Sequence, residues 1–240
     1  MNIITYENIR NFAYTNDAII RGDIKGIVVD FKGLGNQDMV DGQDPRGEML
    51  AEKGIIYVIP YNNPWNWMNA QAVMYTDELL DVLMAHYDIG NDVPIVACGG
   101  SMGGLCALMY TKYAKITPVA CVANCPVCDL VFHYTERPDL PRTLYSAFAM
   151  SAAATIEEAM AERSPMHQVD SMPDVKYTVF HCDADEAVNI HSHSEKFVAK
   201  MAENHDITYH IVPGRGHCDL DDENRALYNA AIENAILDRA

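Results

Sequence analysis

The chain predicts an α/β fold with a mostly parallel central sheet and helices on both faces. Three observations carry this. Short apolar runs near 26–31, 55–59, 94–98, 117–123, 176–182 and 207–212 read as strands. Helical stretches near 45–53, 69–87, 102–115, 193–204 and 222–238 alternate with them, which is the rhythm of parallel strands joined by crossover helices. At 240 residues, 49% of them hydrophobic, the chain can bury one large core, so 1–240 is expected to form a single domain. Residues 2–9 are expected to add an antiparallel edge strand. No internal repeat and no low-complexity linker interrupts the pattern.

Each strand-like run leads into a segment of distinct chemistry. The first, Ile27 to Phe31, runs into Lys32-Gly33-Leu34-Gly35. That turn is a plain glycine-rich connection, an anion-binding loop or a phosphate cradle. The cradle reading is weak because no Gly-Lys-Ser/Thr follows. The second run is followed by Tyr61-Asn62-Asn63-Pro64-Trp65-Asn66-Trp67. Here Tyr61, Trp65 and Trp67 either line a substrate pocket or anchor the next helix by burial.

The third run ends in Gly99-Gly100-Ser101-Met102-Gly103-Gly104 and passes directly into the apolar helix from Leu105. A serine on a sharp strand-to-helix turn has its hydroxyl exposed and the helix N-terminus aimed at the reacting centre. Gly99 and Gly103 remove the side chains that would collide where strand meets helix. Gly-x-Ser-x-Gly also occurs as ordinary loop punctuation, and the strand before and helix after are what set this instance apart.

A serine hydroxyl needs a base, and the base needs an orienting carboxylate. Both kinds of group stand just past later strands. The run ending His181-Cys182 leads to Asp183, Asp185 and Glu186, and the last run leads to Pro213-Gly214-Arg215-Gly216-His217. The C-terminal edge of a parallel sheet is where ligands bind. His217 is favoured among nine histidines because a glycine-flanked loop lets its ring reach over the serine. His181 lies inside an apolar strand and reads as structural. His191 and His193 lack metal-ligand spacing, and Cys125-Pro126-Val127-Cys128 lacks a second Cys pair, so no metal is expected.

With these residues in order, the chain resembles the α/β-hydrolases. Within them it is similar to single-domain esterases and to the catalytic domains of prolyl-oligopeptidase-like serine peptidases. The resemblance rests on residues 99–104, on His181-Cys182-Asp183-Ala184-Asp185-Glu186-Ala187-Val188 and on Gly214-Arg215-Gly216-His217. Arg163-Ser164-Pro165, Val169-Asp170 and Pro173 support it, and it spans about residue 26 to the end. The resemblance implies an α/β-hydrolase fold with Ser101, Asp185 and His217 as the triad. In the family pattern His-Gly-x-x-Asp-x-x-Val, Cys182 takes the glycine's place and Asp185 the acid's, which leaves Asp183 as a turn residue. The oxyanion donors it implies are the N–H groups of Met102 and of Leu34, in a loop where Lys32 replaces the usual histidine. Residues 124–175, rich in aromatic, Met and Ala positions such as Phe132, Tyr134, Tyr145, Phe148, Met150 and Ala152 to Ala161, are read as a small helical cap at about 125–170.

The reaction expected is hydrolysis of a carboxylic ester of a small molecule through an acyl-enzyme, by a carboxylesterase-like serine hydrolase without a cofactor. A lone domain without a propeller favours esters over peptides. The alternatives are a small serine peptidase or aminopeptidase of the prolyl-oligopeptidase type, and a hydrolase fold that binds a ligand without turnover. The partner is a small-molecule ester or short peptide. A net charge of −17 disfavours nucleic acid and anionic membranes. Seven cysteines scattered in apolar runs look like reduced thiols, and without an apolar leader or an 18-residue apolar run the chain is expected in the cytoplasm.

Overall fold

The computed structural model describes residues 3–40 and 42–239. Its elements run β1 (Ala13–Thr15), β2 (Gly26–Phe31), α1 (Pro45–Glu52), β3 (Ile55–Pro60), α2 (Ala70–His86), β4 (Ile95–Gly100), α3 (Met102–Tyr113) and β5 (Ala120–Asn124). Four short helices follow: α4 (Leu130–His133), α5 (Leu140–Phe148), α6 (Ile156–Glu162) and α7 (Pro165–Gln168). The chain closes with β6 (Lys176–Cys182), α8 (Ser194–Met201), β7 (Ile207–Val212) and α9 (Asp222–Leu237).

The seven strands form one sheet in the order β1-β3-β2-β4-β5-β6-β7, parallel except at β1. Alternate residues of each strand feed two cores. Ile27, Val29, Ile95 and Ala97 face one core with Leu105 of α3 and Leu79 of α2. Val28, Val96, Val122 and Phe180 face the other with Ile232 of α9 and Leu50 of α1. α3 is buried from Met102 to Thr111, because it packs on β2, β4 and β5 at the centre of the sheet. This all-round burial explains why its sequence shows no polar face.

The expected edge strand sits elsewhere. β1 occupies Ala13–Thr15, paired as Ala13 with Pro60 and Thr15 with Val58, while residues 9–11 make a tight helical turn. The Asn8 carboxamide accepts from the Thr5 N–H at 2.8 Å and donates to the Ile3 carbonyl at 3.0 Å, and such local bonds compete with a ladder. Asn2 lies outside the described residues. Within the run Ala152 to Ala161 the helix starts only at Ile156. Thr155 Oγ1 accepts from the Glu158 N–H at 3.1 Å and Glu158 accepts from the Thr155 N–H at 3.2 Å, so a capping box outcompetes the preceding alanines.

Candidate active site

Parallel pairing places the ends of β2, β4, β5, β6 and β7 along one edge. Ser101 stands at the centre of that edge with φ 60° and ψ −125°, a strained backbone for a side chain-bearing residue. Its N–H donates to the Asn124 carbonyl at 2.9 Å, which ties the turn to β5. The neighbouring glycines are required by contact. A Cβ on Gly103 would lie 1.9 Å from the Phe31 carbonyl oxygen, and one on Gly99 would lie 2.5 Å from that of Gly103. β2, β4 and α3 meet too closely there for any side chain.

The loop after β2 abuts the serine from one side. A Cβ on Gly33 would be 3.9 Å from that of Ser101, and Leu34 borders the same cavity. Among the described residues, neither the Leu34 nor the Met102 N–H has an internal acceptor. Both expected oxyanion donors are therefore left without a protein acceptor.

Asp185 is buried at the start of the loop after β6. Its Oδ1 accepts from the N–H groups of Ala187 at 2.8 Å and Val188 at 2.9 Å, and its Oδ2 faces His217 Nδ1 at 2.6 Å. Burial pushes this carboxyl up, but the bonds from His181, His217 and the Val188 N–H outweigh it and hold Asp185 well below the usual range. His217 responds in the opposite sense: burial pulls it down, and the bond and charge of Asp185 carry it above its ordinary 6.5. Asp183, the competing carboxylate, is exposed and accepts from the Gly214 N–H at 2.6 Å, which closes the turn leading to His217. His181 donates from Nε2 to the Val188 carbonyl at 3.0 Å and lies 3.4 Å from Asp185, so it braces the acid loop from below.

Ser101 and His217 open onto one cavity of about 470 Å³, walled by Leu34 and Trp67 on one side and by Val127, His133 and Arg137 on another. Of the three aromatic residues after β3, only Trp67 reaches it. Trp67 is fully buried at φ 43° with its Nε1 donating to Thr143 Oγ1 at 3.1 Å. Tyr61 and Trp65 border a separate pocket of about 190 Å³. Tyr61 carries Lys32 over its ring at 5.1 Å, and Arg142 sits over Trp65 at 5.2 Å. Both side chains thus pack beneath basic residues away from Ser101.

His133, Arg137 and Cys218 border the Ser101 cavity without having stood out in the sequence. The His133-x-x-Glu136 spacing was visible, but the third member of its cluster, His193, comes from the loop before α8. Three groups bring possible metal-ligand atoms within 4.8 Å of one another: Cys125, His217 and Cys218; Cys125, His181 and Asp185; and His133, Glu136 and His193. In the first two one nitrogen of each imidazole is engaged, His217 Nδ1 by Asp185 and His181 Nε2 by the Val188 carbonyl. In the third, His193 Nδ1 faces the N–H groups of Cys128 at 3.1 Å and Asp129 at 3.3 Å. That nitrogen must be the acceptor, so Nε2 carries the proton and has no lone pair for a metal. No helix among the described residues is long and apolar enough to cross a membrane.

The sequence profile of the prolyl oligopeptidase family matches residues 77–239, more than half the chain. The chain belongs to this family. It has the α/β-hydrolase fold. Comparison with curated proteins finds no match. Among solved structures, it is similar to Thermogutta terrifontis esterase 2, at 19% identity and a TM-score of 0.63, over 93% of this chain and 86% of that one. A puromycin-hydrolyzing peptidase of Mycobacterium tuberculosis aligns at 18% identity and TM-score 0.67, over 88% of this chain and 35% of that one. The acylaminoacyl peptidase of Pyrococcus horikoshii aligns at 10% identity and TM-score 0.65, over 82% and 34%. This family member therefore spans about a third of the length of those peptidases, and identities this low carry the fold alone.

Proposed function

We propose that this chain is a serine hydrolase that cleaves a carboxylic ester of a small molecule through an acyl-enzyme. The observation that carries the reading is the Asp185–His217 pair at 2.6 Å on the same cavity as Ser101. Ser101 attacks the ester carbonyl while His217 takes its proton. Asp185 fixes the proton of His217 on Nδ1, which leaves Nε2 bare to act as base, and stabilises the imidazolium that forms. The N–H groups of Met102 and Leu34 receive the oxyanion, each such donor contributing about 3 kcal/mol to the transition state. His217 then protonates the leaving alkoxide, and water enters by the same route in reverse.

The four helices from Leu130 to Gln168 serve in this reading as a small cap on a single domain, since His133 and Val127 from the segment after β5 help wall the cavity. A cavity of about 470 Å³ suits a small substrate. All seven cysteines are free and six are buried, which supports the expected cytoplasmic setting.

The test is labelling by a fluorophosphonate probe with peptide mapping, using Ser101→Ala as control. A single adduct on Ser101, absent in the variant, is expected, and failure of the native protein to label would overturn the reading. Membership of a peptidase family favours one second reading, a short-peptide substrate. Turnover of p-nitrophenyl acetate but not of amino-acyl p-nitroanilides decides for the ester, and the reverse decides for the peptide.

A further inference from the structure

The cavity of Ser101 is also bordered, through His133, by a second histidine–carboxylate unit whose proton positions are fixed by its surroundings. His193 is fully buried, and its Nδ1 accepts from the backbone of Cys128 and Asp129, so its Nε2–H donates to Glu136 Oε2 at 2.8 Å. The same Oε2 faces His133 Nδ1 at 2.6 Å. Burial pushes Glu136 up, but the two imidazoles outweigh it and bring it down to about 2. A carboxylate only accepts, so His133 must carry its proton on Nδ1. Burial, with His193 and Arg137 nearby, keeps His133 below its ordinary 6.5 and hence neutral at pH 7.

The remaining nitrogen is the informative one. His133 Nε2 is a bare lone pair with no hydrogen-bond partner among the described residues, yet it is not one of the sealed, unpartnered side-chain atoms. The ring is held edge-on to Trp67, with centroids 5.6 Å apart, and to His193 at 5.3 Å, so it cannot turn away without breaking the cluster. Arg137, the neighbouring cation, is occupied by Asp139 through bonds of 2.8 and 3.1 Å. The wall therefore offers a fixed acceptor where a solvated donor or a substrate donor must come.

We propose that His133 is a substrate-selecting residue: its Nε2 accepts a hydrogen bond from an amide N–H or hydroxyl on the acyl part of the ester. The assignment to the acyl part rests on the triad reading above. In that reading His217 serves the leaving oxygen, and the proposal gives the acyl group to Trp67, Val127 and His133, which line the same cavity. Glu136 and His193 act through His133 by holding its tautomer.

The experiment compares kcat/KM for two pairs of p-nitrophenyl esters, N-acetylglycine against N-acetyl-N-methylglycine and hydroxybutyrate against butyrate, in wild type, His133→Phe and His133→Gln. Wild type is expected to favour the donor-bearing ester of at least one pair by roughly tenfold, the effect of leaving a buried acceptor unpaired. His133→Phe should bring that ratio to one or below. His133→Gln, whose amide oxygen can stand near the Nε2 position, should keep part of it. Because the readout is a ratio between substrates, a general loss of active protein cancels. A wild-type ratio near one in both pairs, or an unchanged ratio in His133→Phe, overturns the proposal. Fluorophosphonate labelling of Ser101 in the same samples separates the two failures. Labelling with no donor preference removes only the role of His133, whereas absent labelling removes the triad reading and this inference with it.

Discussion

Two histidine–carboxylate pairs, each closed at 2.6 Å, contribute an imidazole to one cavity, and those imidazoles are tuned in opposite directions. Asp185 turns one oxygen to two backbone N–H groups and the other to His217 at 2.6 Å, with the buried His181 3.4 Å away. Glu136 puts one oxygen between two imidazoles. His217, on an open glycine-flanked loop with 29% of its side chain exposed, is raised; His133, with 3% exposed, is lowered. Bond length alone does not assign a role. A partly exposed imidazole on a carboxylate makes a base that can hold a proton, whereas one almost wholly buried makes a neutral acceptor.

The largest effect that would break this comparison comes from Asp185→Asn. The side chain would keep its oxygen toward the Ala187 and Val188 N–H groups, so its NH₂ would face His217 Nδ1. That nitrogen must then accept, and the proton moves to Nε2, where it blocks proton transfer from Ser101. A fall of about 10⁴ in kcat with little change in KM is expected. A loss under tenfold would remove Asp185 from the triad. Its counterpart, Glu136→Ala, strands two buried donors and should cost about 2 kcal/mol of stability in a denaturant titration. Its effect on p-nitrophenyl acetate turnover should stay under about tenfold, because the pair moves no proton in the reaction. A collapse of kcat in folded Glu136→Ala would make the two pairs functionally alike and sink the distinction.

The two sites were unequally legible in the chain, for physical reasons. Ser101 was readable because an elbow leaves a glycine signature: Gly99 and Gly103 have no room for a Cβ. The strands along the chain and the loops bearing Asp185 and His217 followed from short apolar runs typical of buried parallel strands. Helices over 45–53, 69–87, 102–115, 193–204 and 222–238 settled within a few residues, with ends set by caps such as Asn69 on the Ala72 N–H at 3.0 Å. The second pair was hidden because its logic is tertiary. His133 gains its tautomer from Glu136, and Glu136 its charge from His193, a residue 57 positions further on. The misplaced edge strand and the late start of α6 were both local contests. In the second the Thr155–Glu158 capping box was in the sequence, and it won over alanine propensity.

The smallest expected effect is a displacement in pH, and it sharpens the comparison most. His217 must be neutral to accept the Ser101 proton, so kcat/KM should fall as pH drops through its folded pKa, above the ordinary 6.5. Stability carries the opposite sign. A raised folded pKa means that protonated His217 stabilises the fold fully below pH 6.5, and this contribution is lost as pH rises through the folded value. Asp185, held low, contributes above pH 3.8 and loses its contribution as pH falls further. The pair therefore stabilises most between those two values, where His217 is charged and the enzyme idles. His133 adds nothing on this limb, since lowering puts its titration below 6.5. Thermal melting and kcat/KM measured over one pH series should cross, with activity rising where this part of the stability declines. An acid limb centred at or below 6.5 would mean that Asp185 does not charge-stabilise His217, and the contrast between the two pairs would lose its basis.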